Sequence, residues 1–398
     1  MRRVVITGAG TVNPLGANLA QTFDGFRQGR CAIGPLDLPE IDRLTIKIAA
    51  PVLGWTPEFP QQTLSICDRS TLMALQSAAE AVAMAGLHLT EAEALEAGVI
   101  IGTAGGGHMA AESAYRAVFE QGKTRVHPFT VPRLMANAAA SQIAIAHGLK
   151  GPGLAVSTAC ASSNHAIGLA YQMVAMGQAE VMLAGGAEAM LDFGGIKVWE
   201  ALRVLSPLGC HPFAAQRDGM VQGEGAAVLV LEPLSRAQAR GATILGEIIG
   251  FGMTSDAVDM IVPQVDGAVR AMRQALRQAG IAPSDIAYVN AHGTGTEAND
   301  RAESQALLQV FGAFGVPVSA TKSAHGHLIG AAGAVEALAC LLALTEGIIA
   351  PTVGGQVADP DLAVDLVCGL PRDVSVQACL SNSFAFGGLN AVLCFGRV

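Results

Sequence analysis

The residues equipped for chemistry fall in three short segments. In Val156-Ser157-Thr158-Ala159-Cys160-Ala161-Ser162-Ser163 a short apolar run delivers a cysteine to what reads as the first turn of a buried helix. A thiol there faces unpaired backbone N–H groups and the positive end of the helix dipole, which favour the nucleophilic thiolate. The small neighbours Ala159, Ala161, Ser162 and Ser163 leave room for a substrate at the sulfur. Asn290-Ala291-His292-Gly293-Thr294-Gly295-Thr296 and Lys322-Ser323-Ala324-His325-Gly326-His327 bring imidazoles and an ammonium on glycine-rich loops. A cysteine nucleophile with two histidines and a lysine is equipment for carbon–carbon bond formation on thioesters.

Each residue also has a plainer reading. A cysteine at a helix start is most often structural. The helical stretch Cys160–Gly177, however, is apolar nearly all round (Ala166, Ile167, Leu169, Ala170, Met173, Val174), so it lies inside the molecule and its dipole acts through low dielectric. A loop histidine is usually a surface residue, yet His292 follows the apolar strand Ile286–Asn290 and precedes Gly-Thr-Gly-Thr. Loops at the carboxyl ends of parallel strands build active sites. His325 and His327 raise a metal site, but no carboxylate or cysteine of suitable spacing joins them, and no metal is expected. After the first strand, Gly8-Ala9-Gly10 lacks a third glycine in register and an acidic residue near position 30, which argues against a nucleotide cofactor. No cofactor of any kind is expected.

The elements that must position these residues alternate along the chain. Apolar runs at Val4–Ile6, Gly98–Ile101, Leu154–Ser157, Val181–Ala184 and Ala226–Leu231 read as strands, with helices at Asp68–Ala85, Pro132–His147 and Cys160–Gly177 between them. A second series follows: strands at Ile244–Gly250, Ile286–Asn290, Ala378–Ser381 and Ala391–Phe395, and helices at Val265–Gly280, Asp300–Phe311 and Gly330–Gly347. The repeated order suggests a duplication, with halves 1–232 and 233–398, the first carrying the cysteine and the second both histidines. Pro207–Gly225 reads as a loop decorating the active-site face.

Composition sets the surroundings. Of 398 residues 51% are hydrophobic and only 14% charged, which calls for a large core and a sizeable apolar homodimer interface. A net charge of −9 with no Lys/Arg-rich run argues against nucleic acid; an acidic protein partner would need a local basic patch. The apolar run after Arg3 is too short for a signal peptide, and no stretch approaches about 18–20 uninterrupted apolar residues, so no membrane insertion is expected. Eight scattered cysteines read as free thiols of a reducing cytoplasm.

In combination, Thr158-Ala159-Cys160, His292-Gly293-Thr294-Gly295-Thr296, Lys322-Ser-x-x-Gly326-His327 and Arg217-Asp218-Gly219-Met220-Val221-Gln222-Gly223-Glu224-Gly225 are highly specific. The chain resembles, over its full length, the β-ketoacyl-acyl carrier protein synthases of the elongating types I and II. The resemblance implies a duplicated, thiolase-like α/β fold: five layers in the order αβαβα, with mixed sheets and a buried helix layer. It implies that Cys160 takes an acyl chain from an acyl carrier protein, while His292 and His327 hold the carbonyl of a malonyl carrier as it loses carbon dioxide. It further implies an oxyanion hole from the backbone N–H groups of Cys160 and Phe386. Lys322 would orient or polarise His327, and Asp300, Glu303 and Glu336 would be supporting carboxylates. Thr294 and Thr296 match positions on the pantetheine arm; Lys123, Arg125 and Arg203 match positions that dock the acidic carrier.

Several residues depart from that pattern. The gating loop reads Ala385-Phe386-Gly387-Gly388-Leu389 where Gly and Thr are usual at its ends, His325 replaces a threonine, and Ala214 replaces an aspartate, which puts a salt bridge in doubt. Gly105 stands where type II enzymes carry isoleucine in the acyl pocket, and Trp199 where they carry phenylalanine. Loss of the isoleucine should open the pocket floor while Trp199 narrows another wall, altering acyl preference. These departures suit specialised relatives such as nodulation E-type or polyene synthases as well as housekeeping ones. A non-catalytic, chain-length-factor-like partner subunit is the alternative. A degradative thiolase would need a second cysteine in a Cys-x-Gly setting, which Cys379 and Cys394 lack.

Overall fold

In the computed structural model, which describes residues 1–355 and 357–398, eleven strands form one mixed sheet whose halves mirror each other. From the outer edge inward the first half runs Gly153–Val156, Ala97–Gly102, Val181–Glu188, Gly225–Pro233 and Val4–Val12. The second continues outward through Gly246–Ser255, Leu389–Gly396, Ala378–Ala385, Tyr288–Asn290 and Pro317–Ser319, with Asp365–Leu366 at the edge. The halves join where Val4–Ile6 pairs antiparallel with Gly246–Ile248. In each half the outer strands are parallel and the inner ones antiparallel.

Helices fill the remaining layers. Arg69–Ala85 covers the outer face of the first half and Val265–Ala279 that of the second. Ser162–Ala175 and Ala332–Glu346 pack on each other and on strands of both halves, forming the buried middle layer. Glycine permits the close approach: a Cβ at Gly10 would lie 2.2 Å from Ser77 O, and one at Gly252 2.0 Å from Ala271 O. Gly8-Ala9-Gly10 is thus a packing device.

Several elements differ from the sequence reading, as when the strand read at Ile244–Gly250 runs from Gly246 to Ser255. The central helix begins at Ser162, leaving Cys160 in the turn before it. The stretch read as a helix over Pro132–His147 is two, Thr130–Leu134 and Ala138–His147, separated where Met135 turns extended. The strand Pro317–Ser319 is too short to announce itself. One helical stretch, Ile329–Glu346, is long and apolar enough to cross a membrane, with a mean hydropathy of 1.6; 89% of it is buried inside the protein. It is the core helix that carries Glu336.

Candidate active site

The strand Gly153–Val156 and the helix Ser162–Ala175 bracket a strained turn that presents Cys160. Ala159 sits at φ 48°, a left-handed conformation costly for a residue with a Cβ. The surroundings hold it: Ser162 Oγ donates to Ala159 O at 2.6 Å and accepts from Thr158 N–H at 2.9 Å, and Thr158 Oγ1 lies 2.9 Å from His165 Nδ1. The thiol is 6% exposed. Burial pushes it up to about 12, although the Lys322 charge pulls the other way. This corrects the expectation of a resting thiolate: desolvation of the sulfur outweighs the attraction of nearby positive charge.

The two histidines meet edge to face, with ring centroids 5.5 Å apart at 84°. Cys160 Sγ and one nitrogen of each ring lie within 4.8 Å of one another. Ile329 N–H donates to His327 Nδ1 at 3.0 Å, so the neutral ring carries its proton on Nε2. That Nε2 is buried with no hydrogen-bond partner among the described residues. Lys322 Nζ lies 3.3 Å from His292 Nδ1 and 2.7 Å from His292 O, and also bonds Glu336. His292 is thereby set with its proton on Nε2 as well. Burial, then the Lys322 charge, holds both imidazoles well below their ordinary range and neutral. Two N–H donors converging beside a thiol suit an oxygen that gains negative charge rather than a metal ion, which would need the lone pairs.

Lys322 therefore bonds His292, not His327, which it reaches only through its field. The metal pair considered from sequence does not form: His325 turns its nitrogens to Gly326 O and Thr321 Oγ1.

The supporting carboxylates are buried as expected. Glu303 accepts the backbone N–H groups of His292 and Gly293 at 2.8 Å each and Asn382 Nδ2 at 3.1 Å; burial raises it to about 7. Asp300 accepts from Phe213, Thr294 and Gly295 N–H and rises to about 6 for the same cause. Together they shape the His292–Thr296 loop. Thr294 and Thr296 share a hydrogen bond of 2.8 Å at the wall of a cavity of about 110 Å³. Cys160, His292, His327, Trp199 and Phe386 line the same cavity.

Phe386 lies stacked on Trp199, centroids 6.0 Å apart and planes at 21°. Ala385 ends a strand and pairs with Leu389, so its methyl costs nothing; the loop's freedom resides in Gly387 (φ 83°) and Gly388 (φ 66°). Gly105 does not line the cavity. A Cβ there would lie 2.7 Å from Met190 Sδ, so Met190 already fills the room that the missing side chain leaves, and the pocket floor is not opened. The salt bridge doubted at Ala214 has another partner: Arg217 Nη1 donates to Asp359 Oδ2 at 2.6 Å and to Ala214 O at 2.8 Å. Lys123, Arg125 and Arg203 are exposed and make no ion pair among the described residues.

Sequence reasoning missed Glu188. Fully buried, it accepts Thr103 Oγ1 and the N–H groups of Ala104, Gly105 and Gly330 at 2.7–3.1 Å, tying the Gly105 loop to the helix after His327. An acid ending the apolar strand Val181–Glu188 was the available signal.

Comparison with known proteins agrees with this geometry. Residues 1–237 match the model of the N-terminal domain of beta-ketoacyl synthases, and residues 245–356 that of the C-terminal domain. The chain is 44% identical over 401 residues to a nodulation protein E of Rhizobium sp. (strain N33), covering both chains completely. It is 38% identical over 408 residues to a 3-oxoacyl-[acyl-carrier-protein] synthase 2 of Synechocystis sp., covering 100% of this chain and 98% of that one. Among solved structures, the ishigamide ketosynthase/chain length factor superposes with a TM-score of 0.94 at 33% identity, covering 100% of this chain and 99% of that one. The chain belongs to the β-ketoacyl synthase family, the condensing acyltransferases on a thiolase-like fold.

Proposed function

We propose that this β-ketoacyl synthase lengthens acyl chains held on an acyl carrier protein, with Cys160 as acyl acceptor and His292 and His327 as the decarboxylating pair. The observation that carries the reading is the convergence of the Cys160 sulfur and one nitrogen of each imidazole within 4.8 Å. In the first half-reaction the sulfur attacks the acyl thioester. Its bond to the acyl carbon forms as the carrier's C–S bond breaks, and the thiol proton ends on the departing carrier thiol.

In the second half-reaction the malonyl thioester releases carbon dioxide. The electron pair of the broken C–C bond passes into an enolate whose oxygen accepts from both Nε2–H groups. The enolate carbon attacks the acyl-cysteine, and the resulting oxyanion is received by the N–H groups of Cys160 and Phe386. Collapse expels the Cys160 thiolate, which takes one proton from solvent, and leaves a 3-oxoacyl carrier. Thr294 and Thr296 hold the pantetheine arm, Trp199 and Phe386 bound the acyl chain, and no cofactor takes part.

The name of the Synechocystis relative includes the acyl carrier protein, and the exposed Lys123, Arg125 and Arg203 are basic side chains that such an acidic partner could meet on a body of net charge −9. A homodimer is supported by the edge strand Gly153–Val156, where Leu154 is 44% exposed, and by Ile145 at 74% on the helix Ala138–His147. An unpaired apolar edge is what a second copy would cover. We place the enzyme in the cytoplasm, and read it as two halves, 1–232 and 233–398. Two of the solved neighbours include a chain length factor; retention of Cys160, His292 and His327 around one cavity, with Lys322 bonded to His292, favours the catalytic reading.

The test is intact-protein mass spectrometry of wild type and Cys160→Ala with acyl carriers of graded length. A mass gain on wild type alone is expected. No gain with any chain, while malonyl carrier still loses carbon dioxide, would point to the partner-subunit role.

A further inference from the structure

His325 is a buried titratable group that the proposed reaction leaves unused. It is fully enclosed, with the Phe26 ring edge-on at 6.3 Å. Burial first, and then Lys322, depresses it to about 3, so the ring is neutral at physiological pH. Its Nδ1 lies 2.8 Å from Gly326 O, which can only accept, so Nδ1 carries the proton. Nε2 is then an acceptor, facing the Thr321 hydroxyl at 3.2 Å. Thr321 Oγ1 in turn accepts from Asn290 Nδ2 at 3.2 Å.

The chain of bonds therefore runs from the carbonyl preceding His327 to the strand end two residues before His292. The peptide between Gly326 and His327 is pinned from both sides: His325 bonds its C=O, and its N–H donates to Val221 O at 2.6 Å. Gly326 itself, at φ 72° and ψ −179°, holds a conformation open to glycine alone, so the peptide has no intrinsic preference for this position. A threonine, which resembling synthases carry at 325, has one hydroxyl where the imidazole has two nitrogens on opposite sides.

We propose that His325 is a positioning residue of this chain, fixing the Gly326–His327 peptide and, through Thr321 and Asn290, the spacing of the two catalytic imidazoles. The inference rests on the function proposed above. Packing alone would be satisfied by an apolar residue of similar size; hydrogen bonding would not. An asparagine amide nitrogen falls near the place of Nδ1 and can keep the bond to Gly326 O.

The experiment measures two steps separately in wild type, His325→Asn, His325→Leu and His325→Thr: the Cys160 acyl adduct by intact mass, and carbon dioxide release from malonyl carrier by the acylated enzyme. All variants should acylate as wild type does. His325→Leu and His325→Thr should release carbon dioxide about tenfold more slowly at saturating malonyl carrier with KM unchanged, and His325→Asn should stay within about threefold of wild type. Wild-type rates in both Leu and Thr variants, or an Asn variant as slow as they are, would overturn the proposal. If His325→Leu does not fold, the Thr and Asn variants decide alone. A wild-type enzyme that takes no acyl chain refutes the proposed function instead.

Discussion

Lys322 and His292 are joined twice, ammonium to ring nitrogen at 3.3 Å and ammonium to backbone oxygen at 2.7 Å, with Glu336 as the third partner of the same buried Nζ. Three donors meet three acceptors at a site with no exposure. The lysine thus sets the tautomer of the His292 imidazole while neutralising a carboxylate on the core helix.

Removing that ammonium separates stability from catalysis. Lys322→Ala strands Glu336 as a buried unpaired carboxylate and should cost about 3–5 kcal/mol in denaturant unfolding. Lys322→Ala with Glu336→Leu should regain most of that stability. Neither variant should regain decarboxylation, because His292 Nδ1 has lost its donor; a loss of about 10²-fold is expected, as for an oxyanion donor. Recovery of carbon dioxide release in the double variant would refute the tautomer assignment.

Glu303 gives a pH signature. Its carboxyl rises from an ordinary 4.5 to about 7 on burial, so between those values the folded state holds a proton that the unfolded chain has released. This contribution to stability is complete below about 4.5 and is lost as pH rises through about 7, with a slope of up to about 1.4 kcal/mol per unit. Unfolding of wild type and Glu303→Gln across that window should differ in slope, the variant being flatter. Parallel curves would mean that Glu303 stays ionised throughout.

The Met190 sulfur occupies the room that a side chain at 105 would take, so that Met190 is the residue to vary if this region bears on the acyl chain. Gly105→Ile should collide with the Met190 sulfur and slow acylation by long chains, and Met190→Ala should relieve it. Met190→Ala alone should extend the range of chains accepted. Acylation rates across graded acyl carriers check this; indifference to Met190 would exclude it from the pocket.

Trp199 and Phe386 stack in the wall of the cavity that Cys160 also lines. Such pairs contribute about 0.5–1.5 kcal/mol, so Trp199→Ala should favour the open loop by up to about tenfold. Water then reaches the acyl-cysteine more often. The adduct, followed by intact mass, should decay correspondingly faster, whereas an unchanged lifetime would show that Phe386 needs no support from Trp199.

The sequence made the candidate site legible because Cys160 and His292 follow apolar strands where periodicity gives way to turns, and His327 stands in a glycine-containing segment just before the core helix. Alternation likewise revealed an α/β chain and nine of the eleven strands that form the large sheet among the described residues. What it could not reveal was pairing across long separations. Lys322 lies five residues from His327 and thirty from His292, yet it bonds the latter. Met190 fills the place of a side chain absent 85 residues earlier, and Asp359 replaces a partner lost at 214. The thiol's state was misjudged for a related reason: local dipoles are visible in sequence, and the depth of burial that opposes them is not.

The most direct measurement follows enzyme already acylated on Cys160 through one turnover with malonyl carrier, recording carbon dioxide, the cysteine adduct and the carrier product together. The account predicts one carbon dioxide released per adduct lost, with a 3-oxoacyl carrier two carbons longer than the donor chain, and no carbon dioxide from His292→Ala or His327→Ala although both still acylate. Carbon dioxide released while the adduct persists, or full turnover by either histidine variant, would contradict it.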